Sequence, residues 1–457
     1  MSDEITTISH LPPEIWAQVI VLARPHKLPK HILPIEVVLS HVCSDWRSVV
    51  ISSPELWANI KIFSPKSLAY LPTYLQRSGG WPLSLFLDLY DAEKPSLYRN
   101  GATALISSAF LDTLAELVVP HVSRWRRFVM FTIREANSRH FLAHVHGLAA
   151  PLLECVKVLV EMPAEREEPA TQDASSTEPL VPFSGGVPLL KRLDMESVYS
   201  WPPVSNLTFL QLQRLTEESM TFQRVVDGLK EASNLKTLLL HRAIDCLDWP
   251  INAQPILELN HLEVLSIVGD GLSISKLLLA LSAPALRSLW LESTFATGDG
   301  MSQLMSSTQF ANPEHKFPEL RYLTLQLMNL QHVSSCARLF PTVSHLHLSF
   351  CPTWGWRYLH DIFKTTPVAK WGNLKTLIVR TSREDSRSNT VLPAVLAACR
   401  QRAEAGLKID TLLSDQGCLE AFGSAQDILK YTNPQALSLE SYDEPLWVFR
   451  EMGDERF

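Results

Sequence analysis

What this 457-residue chain has little of narrows its function before any motif is read. Charged residues are only 19% of it, below the usual quarter, and 41 Lys and Arg stand against 48 Asp and Glu for a net charge of −7. The basic stripe that marks nucleic-acid binding is missing, so no nucleic-acid partner is expected. Apolar runs never reach the ~18 to 20 residues that span a bilayer, and Met1-Ser2-Asp3-Glu4 is acidic where a signal peptide is basic, which argues against membrane insertion or secretion. The seven cysteines are odd in number, scattered from Cys43 to Cys418 and without a C-x-x-C pair. They write neither a disulfide framework nor a zinc knuckle, and buried thiols in a reducing compartment, cytoplasmic or nuclear, are the expectation. No G-x-S-x-G elbow, Walker loop or H-E-x-x-H occurs, so no catalytic residue, metal or cofactor is assigned and no enzyme is expected. What the chain does have is 46% hydrophobic residues, enough to exclude global disorder, and a length that suits about three units or one small domain followed by an elongated repeat array.

The repeat is legible from Leu190 onward as L-x-x-L-x-L. Its clearest copies are Leu235-Lys-Thr-Leu238-Leu-Leu240, Leu262-Glu-Val-Leu265-Ser-Ile267, Leu286-Arg-Ser-Leu289-Trp-Leu291 and Leu320-Arg-Tyr-Leu323-Thr-Leu325. Weaker copies start at Leu207, Val343 and Leu374, and successive starts lie 17, 28, 27, 24, 34, 23 and 31 residues apart. These intervals scatter around the ~20 to 29 of leucine-rich repeats. Upstream, Leu153-Glu-Cys-Val156-Lys-Val158, Trp125-Arg-Arg-Phe128-Val-Met130 and Leu83-Ser-Leu85-Phe-Leu87 are earlier copies. The fourth and sixth positions alternate with outward ones, which gives a short strand with its leucines turned inward. Helical stretches at 222–232, 273–281 and 333–340 fill the intervals, so the expected fold class is α/β, a solenoid of parallel strands on a concave face. Residues 161–188, with six acidic side chains, one basic and five prolines, are expected to be a disordered insertion.

A helical block precedes the array. Leu11-Pro12-Pro13-Glu14 suits a helix start, Ile15, Trp16, Val19, Ile20 and Leu22 follow at helical spacing, and prolines 25, 29 and 34 punctuate a connector. A second stripe runs through Ile35, Val38, Leu39, Val42, Trp46 and Val49, and Ser53-Pro54-Glu55 opens a turn bearing Leu56 and Trp57. Three short helices cannot easily bury three tryptophans alone, so part of this surface belongs to a partner. The ordered set Leu11-Pro12-x-Glu14-Ile15-Trp16, Val42-Cys43-x-x-Trp46-Arg47 and Pro54-x-Leu56-Trp57 resembles the F-box. The resemblance implies a trihelical motif that docks on the Skp adaptor of SCF-type ubiquitin ligases, and through it on cullin. It implies a contact set of Leu11, Pro12, Ile15, Val19, Val42, Cys43, Trp46, Leu56 and Trp57. With the repeats behind it, the chain is similar to fungal F-box proteins with leucine-rich repeats, non-catalytic receptors that present a target to the ligase. The connector between Ile20 and Ile35 is longer and richer in proline than in compact members of that family.

The organisation expected is therefore an F-box-like domain over 8–62, a connecting region with the first divergent repeats over 63–160, the insertion, the repeat solenoid over 189–425 and a C-terminal cap over 426–457. Outward strand positions hold the candidate target-binding strip Trp290, Tyr322, His345 and His347, because exposed aromatics anchor protein interfaces; cover by a loop or by the C-terminal Trp447 and Phe449 is the plain alternative. Gly269-Asp-Gly271 after a strand is the most enzyme-like signal, but Ile274 stands where a dinucleotide-binding turn needs its third glycine, which favours a repeat loop. His345-x-His347 and His144-x-His146 supply two imidazoles each, too few for a metal site. A leucine-rich binding scaffold without a ligase role is the competing reading.

Overall fold

The structure, a computed structural model, describes residues 12–23, 33–89, 106–162, 181–196, 201–215, 222–243, 256–293, 304, 316–326, 336–349, 371–380, 391–414 and 432–436. The chain is mixed α/β, with one compact unit up to Pro203 and another from Val204 onward.

In the first unit, four short helices, α1 (Pro13–Ala23), α2 (Ile35–Ser40), α3 (Ser44–Ile51) and α4 (Pro54–Trp57), lead into strand β1 (Asn59–Ile62). Then come α5 (Leu71–Arg77), β2 (Leu83–Asp88), α6 (Ser108–Val118), β3 (Trp125–Arg134), α7 (Glu135–Ala143), β4 (Cys155–Met162) and β5 (Arg192–Glu196). The five strands pair in sequence order and all in parallel, so each connection must cross back over the sheet; α5, α6 and α7 lie in the connections from β1 to β2, β2 to β3 and β3 to β4. Inward positions stack in register, Ile60 with Leu85, Leu85 with Phe128, Phe128 with Val156 and Val156 with Leu193, each at most 1% exposed.

The second unit repeats the plan with β6 (Phe209–Gln213), α8 (Phe222–Glu231), β7 (Thr237–His241), β8 (Leu257–Glu258), β9 (Val264–Gly269), α9 (Gly271–Ala280), β10 (Leu281–Ser282), β11 (Ser288–Ser293), β12 (Tyr322–Gln326), β13 (His345–Ser349), β14 (Thr376–Arg380), α10 (Val391–Glu404), β15 (Thr411–Ser414) and β16 (Asn433–Ala436). Apart from the short β8–β10 pair, these strands form one parallel ladder in sequence order. Leu238, Leu265, Leu289, Leu323, Leu346, Leu377 and Leu412 form one continuous buried row along it.

The first leucine of each motif has a second duty. The amide of Leu235, Leu262, Leu286, Leu320 or Leu374 donates to the carbonyl three residues back, which closes a turn into the strand. The next two amides then share one carbonyl of the preceding repeat: Lys236 and Thr237 on Thr208, Glu263 and Val264 on Lys236, Arg287 and Ser288 on Glu263, Arg321 and Tyr322 on Arg287. This shared acceptor fixes the register even where the repeat length varies.

Three expectations change. The stripe from Ile35 to Val49 is two helices, broken at His41–Cys43, where Ser40 Oγ turns back on the Val37 carbonyl and Cys43 is extended (φ −154°) as the N-cap of α3. Cys43 is thus exposed at a helix start, whereas among the described residues Cys155, Cys336 and Cys399 are buried free thiols. The expected insertion 161–188 is ordered at both ends, because β4 runs through Met162 and Phe183 is fully buried against Trp125 and Phe128, with ring centroids at 6.0 and 6.4 Å. Residues 163–180 lie outside the described residues. So do Leu11 and the C-terminal cap from 437 onward, including Trp447 and Phe449.

Candidate functional site

Helix α1 is apolar on two sides, and only one of them is covered. Ala17 and Ile20 are buried and Trp16 meets Trp46 of α3 at 5.0 Å, whereas Ile15, Val19 and Leu22, spaced as one helical stripe, are 43%, 45% and 84% exposed. The neighbouring helices add Val38, Val42 and Ile51 to the exposed apolar set, with Val42 59% exposed and Leu33 just before α2 61%. Among the expected Skp contacts, Pro12, Ile15, Val19, Val42 and Cys43 are thus at the surface and Trp46 is half-buried.

Leu56 and Trp57 are not on that face. Both are buried, and Trp57 Nε1 donates to the Val50 carbonyl at 2.8 Å while Arg77 lies 4.3 Å above its ring and Tyr74 meets it edge-on at 5.0 Å. Tyr74 in turn donates its hydroxyl hydrogen to the buried Glu36 carboxylate at 2.9 Å, so α2, α4 and α5 close around the indole. The reason is a repeat that the sequence hid. Trp57-x-x-Ile60-x-Ile62 is the L-x-x-L-x-L pattern with Trp in first place, and Trp125 does the same in β3, its Nε1 reaching the carbonyl of Val118, also seven residues back. Leu56 and Trp57 therefore pack the helical block onto the sheet.

On the strand face of the second unit the four residues of the expected target-binding strip do come together. Tyr322 and His345 are register partners whose rings lie 4.4 Å apart. Trp290 and His347 flank Thr324, whose small side chain lets the two rings meet edge to face at 6.1 Å. Three of the four are half-exposed, but His347 is buried. The centre of this face is less open than expected: Gln211, Leu239, Ser266 and Ile378 are also buried, as are Lys157 and Asp194 on the corresponding face of the first unit, where they form an ion pair at 3.1 Å. Neighbouring strands only ~4.8 Å apart bring same-row side chains into mutual contact, so the rim positions carry the accessible chemistry. Desolvation lowers the His345 pKa, with Lys375 adding to it.

The Gly269 loop joins β9 to α9. Asp270 caps α9, its Oδ1 accepting from the amides of Leu272 and Ser273 at 2.8 and 3.0 Å and its Oδ2 from Ser273 Oγ at 2.6 Å. A carboxylate thus occupies the amides that a phosphate would need. Among the described residues no helix is long and apolar enough to cross a membrane. Comparison with known proteins matches no family model and no curated protein.

Proposed function

We propose that this chain is a non-catalytic substrate receptor, in which the N-terminal helices dock on the Skp adaptor of an SCF-type ubiquitin ligase and the strand face holds a protein target. The observation that carries the reading is the uncovered stripe of α1: a contiguous apolar stripe left in water marks an interaction surface, and Ile15, Val19 and Leu22 form one. The F-box resemblance names the partner, and Pro12, Val42 and Cys43 of the same contact set are also exposed. In this reading the contact set is Leu11, Pro12, Ile15, Val19, Val42, Cys43 and part of Trp46, while Leu56 and Trp57 set the angle of the helices from below.

The strand ladders are leucine-rich repeats in this account, supported by the in-register leucine rows and the shared carbonyl acceptor in successive repeats. The target meets the strand face at Tyr322 and His345 on its rim and at Trp290 in its central row, where His347 packs edge to face against the indole. The receptor contributes proximity, and ubiquitin transfer is done by the enzyme at the other end of the complex, in the cytoplasm or nucleus. Reconstitution separates this from a scaffold without a ligase role. Cullin joining the full chain only when Skp is added supports the receptor, whereas a chain that leaves both in the flow-through is a scaffold of another kind.

A further inference from the structure

Away from both surfaces, helices α6 and α7 bring three metal-ligating side chains to one point. His140 and His144 are four residues apart and so lie on one face at the end of α7, and Asp112 faces them from α6. His140 Nε2 lies 2.7 Å and His144 Nε2 2.9 Å from the same carboxylate oxygen, Asp112 Oδ1. The three ligand atoms fall within 4.8 Å of one another. We propose that Asp112, His140 and His144 form a binding site for a single transition-metal dication of the zinc class.

The donor set selects the ion. Two imidazole nitrogens and one carboxylate oxygen suit zinc and its neighbours, whereas calcium and magnesium demand shells built of oxygen. At metal–ligand distances of ~2.0 to 2.2 Å a tetrahedral ion sets its ligands ~3.3 Å apart, so the observed 2.7 and 2.9 Å contacts need to open by only about half an ångström. In the metal-free form each ring gives its Nε2–H to Asp112; on binding, that proton moves to Nδ1 and the lone pair of Nε2 turns to the ion. The carboxylate is already anionic, since the His140 hydrogen bond, with His144 adding to it, holds its pKa below the usual range.

His144 borders a shallow depression of about 390 Å³ that it shares with Leu148, Val119 and Glu116, the last one helical turn beyond Asp112, and Glu116 is the one carboxylate that lines it. His146 takes no part, because its Nδ1 faces the Val181 carbonyl at 3.0 Å; the pairing of His144 runs along the helix to His140 and not to the residue two positions on. No other group of three such side chains converges among the described residues.

The test uses tag-free, full-length protein stripped with a chelator and then titrated with zinc chloride against a chromophoric competitor. One equivalent per chain is expected, with Asp112→Asn and His144→Gln each weakening it at least ~100-fold, because even groups that only support a ligand cost 10 to 100-fold. Cobalt(II) should give the intense visible bands of a tetrahedral site, lost in both variants. A wild type that retains no more zinc than the His140→Gln, His144→Gln double variant overturns the proposal. All three side chains are at least partly solvent-exposed, so the substitutions leave the fold intact, and circular dichroism of each variant verifies it.

Discussion

Lys157 and Asp194 test how the strand face is held together. They are register partners on adjacent strands, their charges 3.1 Å apart and their side chains only 3% and 2% exposed. At that distance Coulomb attraction is ~5 kcal/mol for an effective dielectric of 20, offset by a desolvation cost of similar size. The pair therefore adds little net stability, but deleting either partner takes the opposite charge away from a buried group. Lys157→Met and Asp194→Leu should each lower unfolding free energy by ~3 to 5 kcal/mol, and the double variant should return to within ~1 kcal/mol of wild type. Urea denaturation followed by tryptophan fluorescence gives all four corners of the cycle. Single variants that cost under ~1 kcal/mol, as an exposed ion pair would, refute the burial argument.

Two further predictions rest on single groups. Asp270→Ala removes the N-cap of α9 and should cost ~0.5 to 2 kcal/mol in the same assay, while adding NAD to the wild type should leave its midpoint unmoved. His241 is held neutral by burial, its pKa down to about 4 against 6.5, with its Nε2 beside Ser266 Oγ at 3.3 Å. Between pH 6.5 and 4 the unfolded chain takes up the proton first, so stability should fall by up to ~3 kcal/mol as pH drops through that window, and His241→Gln should flatten the slope.

The sheet was legible in the sequence wherever leucine held the first, fourth and sixth places, because each of those positions is a buried contact that few other side chains fill. β1 escaped because Trp57-x-x-Ile60-x-Ile62 begins inside the helical block, where Leu56 and Trp57 read as part of its apolar surface rather than as the buried start of a strand. β15 escaped because Ser414 stands at its sixth place, its hydroxyl satisfied by the Val379 carbonyl. The apolar stripe of α1 could be read from spacing, but which side is covered depends on Trp46 of α3, thirty residues on. The aromatic strip was found by register, whereas the burial of His347 follows from its neighbours on three strands. The Asp112 cluster was out of reach: His144 was read with His146 and not with His140, and the carboxylate lies 28 residues before His140, where only the packing of α6 on α7 delivers it.

The central claim is that the open stripe of α1 is an Skp-binding face. Isothermal titration of purified Skp into the full chain tests it directly, with Val19→Asp as the surface variant. The account predicts a one-to-one complex for the wild type and a loss of at least ~30-fold in affinity for Val19→Asp at unchanged thermal stability. A wild type that shows no heat of binding, or a Val19→Asp variant that binds as tightly, contradicts it.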